Sequence, residues 1–129
     1  MPNNKDLSLK EYGISKMRYR ELKYFCLQYS EKKQELAALL SISAVQYDGM
    51  PKGNVTSDST AALAAKVAEL EDEIRVIEET AEEAAPGIHN QLLKNVTEEI
   101  PYEYMPVPCG RKQFYIARRK FFYLLSEKR

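Results

Sequence analysis

Pro108 stops whatever precedes it, Cys109-Gly110 makes a short turn, and from Arg111 to Arg129 nothing interrupts a helix. Proline cannot donate to a helical ladder and clashes with the preceding turn. This punctuation therefore commits the end of the chain to one long helix over about 110–128. Phe114, Ala117, Phe121, Leu124 and Leu125 recur at steps of three or four, which puts them on a single apolar stripe. Phe121 is expected at its centre, and Phe122, a step round the helix, is expected to be less buried. Arg111, Lys112, Tyr115, Arg118 and Arg119 fall mainly off the stripe, and no acidic residue lies between Glu103 and Glu127. A helix with an aromatic inner side and an uncompensated basic face suits a polyanion, and a duplex major groove is about wide enough for one helix. Positive charge complements the C-terminal end of a helix, which accounts for Lys128 and Arg129. It is disfavoured at the N-terminal end, so Arg111 and Lys112 point to an anionic partner there.

The chain of 129 residues has zero net charge, but the charge is segregated. From Tyr104 onward there are seven basic residues and one acidic; from Glu69 to Glu83 there are eight acidic and one basic. No run approaches the ~20 apolar residues of a membrane span, so no membrane partner is expected. MPNNKDLSLK lacks the apolar core of a signal peptide. Cys26 and Cys109 fit no metal or redox spacing and read as reduced thiols of a cytoplasmic protein. His89 is the only histidine and has no carboxylate or cysteine at ligand spacing, so it reads as a surface or capping residue. No His/Cys/Asp or Ser/His constellation is present. Neither enzymatic activity nor a cofactor or metal is expected.

Hydrophobic periodicity predicts an all-α fold: a helical hairpin or coiled-coil segment followed by a C-terminal helix-turn-helix. Residues 1–15 are expected to be loose, with a short helical turn over Leu9 to Gly13. A long helix is predicted from Lys16 to Leu40, with Leu22, Phe25, Cys26, Tyr29, Lys33, Leu36, Leu39 and Leu40 on its apolar side. Lys33 is tolerable there by snorkelling, and Cys26 reads as a small buried hydrophobe. Glycines, a proline and a Ser/Thr/Asp cluster mark a hinge over 44–58. It contains no phosphate-binding glycine motif, and Thr56, Ser57 or Asp58 can cap the next helix. That helix, about 59–84, carries Leu63, Val67, Leu70, Ile74, Ile77, Ala81 and Ala84 in an a/d rhythm. This 63–84 seam packs either in cis on the first helix or on a second chain as a homodimer; its thin Ala-Ala end favours cis. Residues 16–85 thus form a two-helix region.

Pro86-Gly87 ends that helix, and residues 86–129 form the predicted helix-turn-helix unit: a helix over 88–97, a short piece over 102–105, then the basic helix. In this order the last helix reads DNA. Arg111, Lys112, Gln113 and Tyr115 lie where side chains reach base edges. Arg111 matches guanine and Gln113 adenine, while Arg118 and Arg119 lie further along, toward flanking phosphates.

The passage NVTEEIPYEYMPVPCGRKQFYIARRKFFYLL, together with ELKYFCLQYSEKKQEL and DGMPKGNVTSDSTAALAAKVAEL, resembles small prophage-encoded transcriptional regulators of the ArpU/RinA type, which are similar to the promoter-reading region of sigma factors. The resemblance covers most of the chain after about residue 17, and VPCGRKQFYIARRKFFYLL is its most specific part. It implies control of late phage genes inside a bacterial host cell by binding double-stranded DNA, with Arg111, Lys112, Gln113, Tyr115, Arg118 and Arg119 as the contacting residues. The two prolines in the short turn between Met105 and Gly110 depart from a roomy helix-turn-helix. Two other classes compete: a small terminase-like packaging protein, and a helical adaptor whose basic tail binds RNA polymerase or another acidic protein.

Overall fold

The computed structural model describes residues 12–49 and 57–129, and among them every regular element is helical. The order is α1 (Lys16–Leu27), α2 (Tyr29–Gly49), α3 (Ser57–Ala84), α4 (His89–Glu98), a 3-10 turn (Tyr102–Tyr104) and α5 (Arg111–Lys128). Residues 1–11 of the N-terminus expected to be loose over 1–15, most of the expected turn over Leu9 to Gly13, Thr56 and the middle of the expected hinge lie outside the described residues. The remainder of the hinge differs from expectation. Helix continues to Gly49 at one end and starts at Ser57 at the other, so Ala44–Asp48 form helix despite the turn residues immediately after them.

The helix expected over Lys16–Leu40 is two helices. Ser15 Oγ accepts from the Arg18 amide at 3.1 Å and starts α1. At Gln28 the amide donates to the Phe25 carbonyl at 3.3 Å, a step of three residues. This tightened turn shifts the inward positions. In α1 they are Tyr19, Leu22, Phe25 and Cys26; in α2 they become Tyr29 and Lys32, followed by half-buried Leu36 and Leu39. Lys33, expected on the apolar side, is therefore exposed, and Lys32 takes the inward place.

The chain divides into two compact units. One is residues 30–75, in which α2 and α3 run antiparallel: Lys32 Nζ lies 3.2 Å from Glu73 Oε1, and Lys66 Nζ lies 3.9 Å from Glu35 Oε2. Of the seam predicted from Leu63 onward, Leu70 and Ile74 are buried here within one chain, while Leu63 and Val67 are half-buried.

The other unit joins residues 1–29 to residues 76–129, grouping α1 with the C-terminal helices rather than with a 16–85 region. Helix α1 packs on both α4 and α5, which also pack on each other. Its core contains Leu22 and Cys26 from α1, Ile77 and Ala81 from α3, Leu92 and Val96 from α4, and Phe114, Phe121, Phe122 and Leu125 from α5. Each fully buried Phe or Leu contributes about 1.5–3 kcal/mol. Thr80 and Thr97, both buried, donate to the carbonyls of Val76 at 2.5 Å and Leu93 at 2.7 Å, so neither hydroxyl is stranded.

The unit buries two adjacent sides of α5, because α1 and α4 approach it from different directions. Phe122, expected to be the less buried phenylalanine, is as inaccessible as Phe121, while Leu124 and Ala117 are only half-buried. Phe122 packs edge-on against Tyr19 and against Phe121, each with ring centroids 5.0 Å apart.

Candidate nucleic-acid interface

The segment before α5 is held by few but specific contacts. Helix α4 ends at Glu99, whose φ of 60° is left-handed and whose amide returns to the Asn95 carbonyl. Pro101 then leads into the 3-10 turn, so the short helical piece expected over 102–105 is a single three-residue turn. Tyr102 Oη donates to the Cys109 carbonyl at 2.6 Å, and its ring meets that of Phe114 at 5.4 Å. Gln91 Nε2 donates to the Pro106 carbonyl at 3.3 Å. The proline-rich turn is tied at both ends, and it delivers Gly110 as an N-cap with no side-chain cap on the first turn of α5.

Helix α5 is 18 residues long, about 27 Å. Opposite its core, Lys112, Ile116, Arg119 and Tyr123 succeed one another at helical spacing, flanked by Gln113 and Lys120. Lys112, Gln113 and Lys120 are exposed, Arg119 is half-exposed, and Ile116 is 39% exposed. Among the described residues the ion pairs of this helix involve Arg111 and Lys128, and none involves Lys112, Arg119 or Lys120. At the far end of the stripe, Tyr12 stacks on Tyr123 at 5.2 Å. A hydrogen bond to Glu127 holds the Tyr123 phenol above its ordinary pKa.

The six residues singled out in the sequence separate into three groups. Lys112, Gln113 and Arg119 lie on the outward stripe. Arg111 and Tyr115 lie beside each other, with the guanidinium carbon 5.2 Å from the ring centroid. Arg111 also forms an ion pair with Glu103 of the 3-10 turn. Of the two cations at the helix start, Arg111 is thus paired within the chain, while no ion pair among the described residues involves Lys112. Arg118 points into the unit: Nε donates to Asn95 Oδ1 at 2.7 Å, and the guanidinium lies over Phe122 at 5.0 Å. It braces the helix, and its inward contacts replace the flanking-phosphate position expected for it.

Lys120 and Ile116 join this surface without having been singled out in the sequence. Their signal was present, since both lie far round the wheel from the Phe114/Phe121/Leu125 line. His89 donates from Nδ1 to the Pro86 carbonyl at 2.9 Å, which is a local capping contact. Among the described residues no group of His, Cys, Asp and Glu side chains could hold a metal ion, and no helix is long and apolar enough to cross a membrane. Comparison with protein-family models, with curated proteins and with solved structures returned no match.

Proposed function

We propose that this chain is a phage or prophage transcriptional regulator that lays α5 in the major groove of double-stranded DNA. The observation that carries this reading is the outward stripe of α5, where Lys112, Arg119 and Lys120 surround Gln113 and Ile116 with no acidic residue between Glu103 and Glu127. A helix of ~10–12 Å diameter fits a groove of about that width. Lysine and arginine meet phosphates, glutamine can pair bidentately with adenine, and an exposed isoleucine suits a thymine methyl. The packing of α5 against α1 and α4 supports the reading, because it buries two adjacent sides of the basic helix and leaves the opposite side outward. The resemblance of VPCGRKQFYIARRKFFYLL to ArpU/RinA-type regulators points the same way.

The test is fluorescence anisotropy on a duplex enriched from a random pool by the wild-type protein, against a scrambled duplex, at two salt concentrations. Lys112→Ala, Arg119→Ala and Lys120→Ala should weaken both duplexes and each lower the salt dependence by about one phosphate. Gln113→Ala should cost about 1–3 kcal/mol on the enriched duplex and much less on the scrambled one. Unchanged DNA binding in all four variants would remove the reading. It would favour instead an adaptor whose basic helix meets RNA polymerase or another acidic protein. Sedimentation separates a regulator, monomeric or dimeric, from a ring-forming packaging protein.

A further inference from the structure

Arg111 is held from two directions, and neither contact is needed to build the core. Glu103 approaches from the 3-10 turn and takes Nη1 of the guanidinium. Tyr115, one helical turn further on, lies against it with the ring centroid 5.2 Å from the guanidinium carbon. Tyr115 is in turn set edge-on against buried Phe114, with centroids 5.4 Å apart and an interplanar angle of 87°. Both partners of the ion pair remain about half-exposed, at 55% for Arg111 and 51% for Glu103, so the assembly opens to solvent at the N-terminal end of α5. A guanidinium has five N–H donors in a rigid fork, and one carboxylate oxygen on Nη1 leaves donors over for a second planar acceptor.

We propose, resting on the DNA-binding reading above, that Glu103 and Tyr115 are positioning residues that fix the Arg111 fork for bidentate recognition of a guanine edge. A flexible arginine at a helix start is drawn to any phosphate within reach. Held between a carboxylate and a ring, it gives up part of that nonspecific attraction. It also enters the groove with its rotamers already restricted, so less entropy is lost on contact. Guanine presents O6 and N7 as adjacent acceptors in the major groove, the geometry that an arginine fork matches. The carboxylate adds discrimination by repulsion, since it disfavours docking of Arg111 against the phosphate backbone.

The experiment uses the full chain and a guanine-containing duplex enriched from a random pool, with 7-deazaguanine replacing one guanine at a time to remove the N7 acceptor. The wild type should lose about ten- to hundredfold in affinity at one guanine. Glu103→Ala and Tyr115→Leu should shrink that penalty to a few-fold while holding or raising affinity for scrambled DNA. Arg111→Met, which removes every donor of the side chain, should abolish the penalty. Tyr115→Phe, which keeps the ring, should retain it. Matching circular dichroism melts confirm that each variant is folded. The positioning role is overturned if wild type binds DNA with no 7-deazaguanine penalty, or if folded Glu103→Ala and Tyr115→Leu both keep the wild-type penalty; DNA binding itself then still stands. Absence of wild-type binding to every duplex overturns the DNA-binding reading, and this inference with it.

Discussion

Arg118 Nε donates to Asn95 Oδ1 at 2.7 Å, and the same asparagine donates from Nδ2 to the Ile100 carbonyl at 3.0 Å. One buried amide therefore joins α5, α4 and the chain that leaves α4, and its two bonds fix which way the amide faces. The Arg118 guanidinium also lies 5.0 Å from the Phe122 ring and 5.9 Å from that of Tyr19. A charged hydrogen bond contributes about 1.5–3 kcal/mol, so Arg118→Ala should cost about 2–3 kcal/mol in urea unfolding. Arg118→Lys should not restore it, because lysine has no Nε in a planar fork. A double-mutant cycle with Asn95→Ala should show coupling above about 0.5 kcal/mol. Simple additivity would mean that the two side chains do not act together.

Phe121 and Phe122 are both fully inaccessible. Each truncation to alanine should cost about 3–5 kcal/mol, and half-buried Leu124 should cost clearly less. Thermal or urea melts of the three variants decide the matter. A Phe122→Ala protein nearly as stable as wild type would mean that α1 does not pack on that flank of α5.

Lys32 and Glu73 face each other at 3.2 Å, with side chains only 11% and 23% exposed. Removing one partner leaves a poorly solvated charge, and such losses run to about 3–5 kcal/mol when burial is complete. Lys32→Ala should therefore destabilise the α2–α3 hairpin by about 2–4 kcal/mol. Replacing both residues, Lys32→Met with Glu73→Leu, should recover most of that loss, since an apolar pair needs no desolvation of charge. Equal instability of the single and double variants in urea would show that the pair is not the source.

Tyr29 is buried and donates its hydroxyl to Glu78. Burial, then the hydrogen bond to Glu78, then the charges of Glu78 and Glu98 raise its pKa above the ordinary tyrosine value. Its folded pKa exceeds its unfolded one, so the protonated phenol stabilises the fold fully below about pH 10. That contribution is lost as pH rises from there toward the folded value. Wild-type stability should fall between about pH 10 and 12 more steeply than that of Tyr29→Phe. Parallel slopes for the two proteins in urea titrations would remove Tyr29 as the cause.

Helix order and the C-terminal boundaries were legible because prolines and glycines punctuate the chain at Pro86-Gly87, Pro101 and Pro108 to Gly110. The 63–84 seam was legible because an a/d rhythm survives whichever partner it meets. The departures share one origin: a helical period shows that a side is apolar, but not how many neighbours share it. Phe122 and Arg118 are peripheral to a single stripe, yet they point into the angle between α1 and α4, which exists only after folding. The break at Gln28 carries no proline or glycine, and the exchange of Lys33 for Lys32 results from it. Of the candidate interface, Lys112, Gln113 and Arg119 were legible from the wheel. The Glu103–Arg111 pair was not, because it joins separate elements across the turn.

The hydrogen bond between Tyr29 and Glu78 spans 49 positions of sequence, and almost all of the chain between them is the α2–α3 hairpin. To the α1–α4–α5 unit, that hairpin is a closed excursion with its two ends tied together. Closure entropy grows only as the logarithm of loop length, about 0.6 kcal/mol for each doubling. The arms of the hairpin can therefore lengthen or shorten by whole heptads over evolutionary time at little cost to the helices they interrupt, provided the tyrosine and the glutamate at the base still meet.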